Sequence, residues 1–388
     1  MRVVLSTVIV IALGFTTMMS ITRPLVTLAA SQLGAGAFEV GLLTAAYAFL
    51  PLLFAIYAGK LADKAGDKPP LIIGTIGAAV GLIIPYLAPS MLSLYVSQIV
   101  TGIAHILIMI SLQNVLGHAA AEHNRDRYFS MFSMFVSVGG FVGPAAGGYL
   151  AETVSYSHAF LTASAIGILP ILFSFFIPAG RKGTVKEDKT DGTRSGTLTL
   201  LKNPTIRKAL ASSALVLYSR DIFIAYYPLF AAKLGHTESQ IGWIIALQGL
   251  AMVAVRLFLA RLVDMFERRW VLLASIMLAG VSFLLFPLAG DLVIFAILSS
   301  VMGIGLGCGQ PLSMTTTYNA SPKSKTGEVL GLRLAINRLS QLIAPLIFGL
   351  IGAWGGIAFV FYFSGLFLVG GALFTRSGSG EASHAKKL

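Results

Sequence analysis

The sequence predicts an all-α integral membrane protein with twelve transmembrane helices in two pseudo-symmetric halves of six. Three observations predict it. Long apolar runs recur along the whole chain, the cationic residues fall almost entirely in alternate breaks between them, and the chain registers on itself at a fixed offset. Of the 388 residues, 56% are hydrophobic and 11% charged, with a mean hydropathy of +0.83. A soluble domain carries roughly 25% charged residues, so water is not the main solvent of this chain.

A helix needs about 20 apolar residues to cross the hydrocarbon core. In the first half, runs of that kind extend over Val3 to Ala30, Val40 to Tyr57, Leu71 to Leu87, Leu92 to Gly117, Phe129 to Ala151 and Ala159 to Ile177. The second half has Ala209 to Ala232, Ile241 to Ala260, Val271 to Leu288, Leu292 to Thr317, Val329 to Ala353 and Ile357 to Phe374. Barrel strands are excluded by run length, since they would be segments of about ten residues with alternating polarity. The first run follows Arg2 but exceeds the roughly 7–15-residue core of a secretory signal, and no small-residue cleavage site interrupts it, so it reads as a retained span.

Of 28 Lys and Arg residues, 22 lie in segments that are cytoplasmic if the N-terminus is inside, one (Lys233) lies outside, and five lie within spans. That asymmetry sets the orientation in a cell membrane, with both termini cytoplasmic. The polar stretch at 179–207, with Lys186-Glu187-Asp188-Lys189 and several Gly, Ser and Thr residues, reads as a solvated linker between halves at 1–178 and 208–376. The tail at 377–388 reads as disordered. The net charge of +12 forms no basic patch or basic helix, which argues against nucleic acid as partner. The single cysteine, Cys308, excludes a disulfide framework and a cysteine-based metal cluster, and reads as a small packed hydrophobe.

An offset of 201 residues brings Leu33-Gly34 onto Leu234-Gly235, Gly41 onto Gly242, and Leu61 and Asp63 onto Leu262 and Asp264. The same offset matches Gly102-Ile103 with Gly303-Ile304, Pro144 with Pro345 and Gly148 with Gly349. With six spans per copy both insert with the same topology, the arrangement of a carrier whose cavity between the halves alternates its access.

Between the second and third spans stands Gly59-Lys60-Leu61-Ala62-Asp63-Lys64-Ala65-Gly66-Asp67-Lys68. It resembles the loop G-x-L-a-D-r-x-G-r-k of the major facilitator superfamily, with Asp67 at a position usually basic. In the fifth span, Gly139, Gly143, Pro144, Gly147 and Gly148 resemble the G-x-x-x-G-P-x-x-G-G pattern of the superfamily's proton-coupled antiporters. Glycines at that spacing permit close helix approach and the proline bends the span. The resemblance covers the whole chain and implies the major facilitator fold, with a conformational role for Gly59, Asp63 and Gly66 and efflux by antiport. Gln98 stands where many such antiporters carry an arginine.

Arg23, Arg220, Arg256, Arg333 and Arg338 are the cations inside spans, each costing about 2.5–3.5 kcal/mol on insertion scales unless it finds water or a partner. Arg256 is near enough to a span end to snorkel, whereas Arg23, Arg220, Arg338 and Arg333 are expected to line a cavity and to select an anionic or zwitterionic cargo. Asp221, the only carboxylate well inside a span, is expected to couple protons or to pair with an arginine. Gln98, Thr101 and His105 share one face of the fourth span, and Gln310 and Asn337 are further cavity candidates. The glycines at 303, 305, 307 and 309 follow no strand and read as helix packing rather than a nucleotide loop.

No phosphate-binding loop, metal motif or nucleophile elbow is present, so no cofactor is implied and enzyme chemistry is disfavoured. The expectation is a secondary active carrier, functional as a monomer, exporting small organic molecules against protons. The alternatives are a carrier of organic anions or metallophores with other coupling, and a non-transporting receptor on the same fold.

Overall fold

The computed structural model describes the backbone of residues 2–119, 125–178, 201, 203–320 and 326–376. Among them, regular structure is helical throughout, as a chain in hydrocarbon requires when each segment must satisfy its own peptide groups. The first half contains α1 (Arg2–Gln32), α2 (Ala37–Ala65), α3 (Lys68–Leu87), α4 (Met91–Ala119), α5 (Arg125–Thr153), α6 (Tyr156–Ile166) and α7 (Ile168–Ser174). The second contains α8 (Pro204–Lys233), α9 (Glu238–Leu285), α10 (Leu292–Ala320), α11 (Thr326–Gly355) and α12 (Ile357–Arg376).

One element differs from the sequence expectation. The sixth span is two helices, α6 and α7, parted at Gly167, because Pro170 cannot donate to the carbonyl of Ile166. The eighth and ninth spans are separate helices, as expected, meeting within α9 where the backbone leaves helical geometry at Glu267 (φ 60°, ψ 144°). With α9 counted as its two helices and α6 with α7 as one, the apolar helices among the described residues give twelve crossings, α12 being the shortest apolar stretch.

The 201-residue repeat is visible in backbone conformation. Gly34 and Gly235 both take positive φ, 87° and 84°, and close the same helix-ending turn: Ala35 N–H bonds to Ala30 O at 2.9 Å, and His236 N–H to Ala231 O at 3.1 Å. The helices that follow start alike. Gly36 N–H donates to Glu39 Oε2 at 2.9 Å, and Thr237 N–H donates to Gln240 Oε1 at 3.0 Å. Gly66, at φ 79°, ψ 166°, is the counterpart of Glu267, so the second copy keeps the turn but has lost the glycine that suits it.

The chain divides into two compact units, one comprising Met1–Glu187 with Ile224–Gly249, the other Asp188–Phe223 with Leu250–Leu388. In the first, α1 and α5 meet backbone to backbone: a Cβ on Gly139, Gly143 or Gly147 would overlap Thr16, Ser20 or Ile21. Gly148 and the carbonyl of Pro144 lie equally close to Glu238 and Gly242, and Thr27 Oγ1 donates to Ala225 O at 3.0 Å. The core of the second unit is aromatic, with Phe223, Phe283, Phe286, Phe295 and Phe361 fully buried and in mutual ring contact. Gly305 and Gly307 of α10 pack on Ser275 and Met252, and Cys308 beside them is buried, so both sequence readings of this stretch hold.

Two measurements follow from this packing. Gly147→Val forces its side chain onto the Ile21 carbonyl and should cost about 1–3 kcal/mol, read as a lowered Tm of the purified protein. An unchanged Tm would refute the contact. Glu267→Gly removes a positive-φ penalty of order 1–3 kcal/mol, less the roughly 1 kcal/mol entropy a glycine adds to the unfolded chain, so the Tm should rise slightly. A fall would place Glu267 in an ordinary helical conformation.

Candidate functional site

Each unit carries a polar cluster within its apolar helices. In the first, three elements converge on Tyr47 of α2. Its hydroxyl lies 2.6 Å from Nδ1 of His105 on α4, and its ring lies 5.2 Å from the guanidinium carbon of Arg23 on α1. Phe15, two turns before Arg23, packs edge-on against His105 at 5.4 Å. The arrangement is a cation over an aromatic face, with the same phenol tied to a titratable imidazole. The sequence singled out Arg23 and His105 and missed Tyr47. Gly102 held the clue, because one turn from His105 it lets α4 close on the Tyr47 backbone.

Thr101 does not join this cluster through its side chain, and Gln98 enters the contacts here by its backbone carbonyl. Thr101 is buried against Gly81, and its hydroxyl bonds back to Ser97 O at 2.7 Å and Gln98 O at 3.3 Å. The shared face expected from spacing is therefore split between two neighbouring helices.

The second unit ties α8 to α11. Asp221, buried at 6% exposure, accepts from Gln341 Nε2 at 2.7 Å, and Gln341 Oε1 accepts from Arg338 at 3.0 Å. Two turns along the seam Ser213 Oγ donates to Asn337 Oδ1 at 3.1 Å. Gln341 thus stands between the carboxylate and the arginine, its amide presenting a donor to one and an acceptor to the other. The relay gives both charged groups a charge-assisted hydrogen bond through one amide. Gln341 was missed because the sequence reading followed charges, yet Asn337, Ser340 and Gln341 form a polar stripe at helical spacing.

The other predicted residues are distributed as follows. Arg220 is partly buried on α8 beside Asp221, and Arg333 is buried on α11 with no partner for its Nε among the described residues. Arg256 does not snorkel: its Nε donates to Gly307 O at 3.3 Å. That carbonyl is the one Pro311 leaves without its helical donor. Gly59 and Asp63 are on the α2 backbone, but the surroundings of both, like those of Gln310 on α10, lie outside the described residues. Asp67, the odd residue of the loop motif, is buried and accepts from Asn114 Nδ2 at 3.0 Å, while Lys68 Nζ donates to Phe175 O at 2.7 Å.

Twelve crossings, a six-span repeat and polar clusters set inside apolar helices define a multi-pass membrane transporter. The chain belongs to the Major Facilitator Superfamily, whose family model matches residues 8–219 and 209–386. It is 24% identical to the class H tetracycline resistance protein of Pasteurella multocida over 343 residues, covering 87% of this chain and 84% of the relative. It is also 24% identical to the quinolone resistance protein NorA of Staphylococcus aureus over 323 residues, 82% of each chain. The nucleoside transporter NupG superposes with a TM-score of 0.81 at 13% identity, over 96% of this chain and 99% of its own, a likeness of fold.

Arg256→Met leaves the Gly307 carbonyl without its donor and should lower stability by about 1–3 kcal/mol, measured as a Tm shift in detergent. Pairing it with Pro311→Ala, which restores the helical donor, should recover most of the loss. Absence of recovery would refute the pairing.

Proposed function

We propose that this transporter is a proton-coupled exporter of small organic molecules, working by alternating access between halves at 1–178 and 208–376. The observation that carries the reading is the Asp221–Gln341–Arg338 chain. Ionised, Asp221 grips the Gln341 amide with a charge-assisted bond. Protonated, it loses that grip, because a neutral acceptor bonds roughly half as strongly. Released from the carboxylate, the Gln341 amide turns wholly onto Arg338 and occupies the planar guanidinium that a carboxylate or phosphate of the cargo would otherwise take. Proton and cargo thereby compete through one amide, which is the logic of antiport.

Arg23, Arg220, Arg333, His105, Gln98, Gln310 and Asn337 are proposed to complete the polar lining, and Gly59, Asp63 and Gly66 to act in the conformational change. Gly139, Gly143, Pro144, Gly147 and Gly148 are proposed to hold the bent fifth span. The resistance proteins among its relatives support export. The protein is read as a monomer in the cell membrane with cytoplasmic termini. The five intramembrane arginines favour anionic or zwitterionic cargo, and with it the second reading of an organic-anion or metallophore carrier without proton coupling.

Proteoliposomes under an imposed pH gradient test the reading with anionic, zwitterionic and cationic candidates. Wild type should show cargo-dependent proton flux, and Asp221→Asn, which has no proton to release, should fall to the protein-free leak and bind cargo more weakly. Cargo movement without proton flux, equal in both proteins, would sink the coupling and leave the second reading.

A further inference from the structure

The repeat exposes a difference between the two units at one seam. In the first unit α1 closes on α5 through Gly139, Gly143 and Gly147, and on α7 through Gly14 against Pro170. The 201-residue register carries the three glycines to Ser340, Ala344 and Phe348, Gly14 to Leu215, and Pro170 to Gly371. The small and large partners have changed sides at the last pair, where Leu215 now fills the space over Gly371. At the first three positions only bulk has been added: a serine, an alanine and a phenylalanine stand where the first unit has glycines. The seam opens into a cavity of about 810 Å³ among α8, α11 and α12.

The lining selects its occupant. Among the described residues of the lining, only Tyr218 and Ser340 bring polar side-chain atoms to it, and both are already engaged: Tyr218 donates to Ser364 O at 3.3 Å and Ser340 to Asn337 O at 2.8 Å. A site for a polar small molecule needs convergent polar groups to orient it, and this one offers none unspent. Leu215, Tyr218 and Phe348 form a buried floor, with the Tyr218 ring stacked on Phe348 at 5.8 Å. Leu339, Ile343, Ile347 and Leu366 are exposed at the mouth, on helices that cross the membrane.

The lining runs along α11 from Ile336 to Ile351, about 22 Å at 1.5 Å per residue. One leaflet of the hydrocarbon core is about 15 Å deep. The cavity is therefore long enough, apolar enough and suitably directed to take a hydrocarbon chain lengthwise from the bilayer.

We propose that one acyl chain of a membrane lipid occupies this cavity as a packing element of the second unit, bracing α8, which carries Asp221, against α11, which carries Gln341. This site is independent of whether Asp221 couples protons. Hydrocarbon gains little from leaving lipid for an apolar wall, so the preference arises from contact with the aromatic floor rather than from exclusion of water.

The test uses the full chain in nanodiscs made with a phospholipid bearing a mid-chain diazirine, with photolabelled peptides mapped by mass spectrometry. Label should concentrate on α11 and α12 several-fold over other spans. Gly370→Leu should abolish that excess, since a Cβ at Gly370 meets no atom within 4 Å and its longer side chain enters the cavity. Ala344→Leu, filling from the seam side, gives the same reading if Gly370→Leu does not accumulate folded. Equal labelling of all spans in wild type, an excess unchanged by a folded filling variant, or displacement of the label by added tetracycline would each overturn the assignment.

Discussion

Every peptide group of a chain in hydrocarbon must find its hydrogen bond within the protein, and wherever proline removes a donor the freed carbonyl needs new company. Three such carbonyls organise much of this molecule. Pro51 frees Tyr47 O, which is met by Gly102; Pro144 frees Gly140 O, which faces Gly249; Pro311 frees Gly307 O, which takes the Arg256 guanidinium. At two of the three, a glycine on the neighbouring helix supplies the close approach. Bends and close packing are thus one device, because the bend exposes a carbonyl and the glycine lets another backbone cover it.

The same constraint shapes the polar clusters. Arginines inside the membrane are costly when alone, and here Arg23 lies over the Tyr47 ring and Arg338 is linked to Asp221 through Gln341. In both units the charged group meets a neutral, polarisable or amphoteric side chain. Such contacts can be remade at small cost when a cargo arrives, which suits a carrier that must release what it binds.

The repeat shows which features of an ancestral half tolerate change. Turn geometry persists: the paired glycine turns at Gly34 and Gly235 and the caps at Glu39 and Gln240 coincide in register, and Glu267 keeps the backbone of Gly66 at a steric cost. Helix seams have diverged. Glycines that seal α1 against α5 are replaced by bulk between α8 and α11, where the bonds from Ser213 to Asn337 and from Gln341 to Asp221 now join the helices.

Run length and the placement of lysines and arginines determined, from sequence alone, that this chain is a helical multi-pass protein, and the offset of 201 residues exposed its duplication. The loop at Gly59 to Lys68 pointed to its superfamily, to which the family model assigns it. These features are legible because each is local, or repeats at a fixed interval. The division of Thr101 from His105 was not legible, since it depends on which neighbour each helix meets. Tyr47 and Gln341 escaped notice for a related reason: an uncharged polar residue carries no penalty large enough to mark it in one dimension. Only the tertiary structure decided that these two side chains, and not the charges alone, hold the clusters together, because a hydrogen bond exists between helices and not along one.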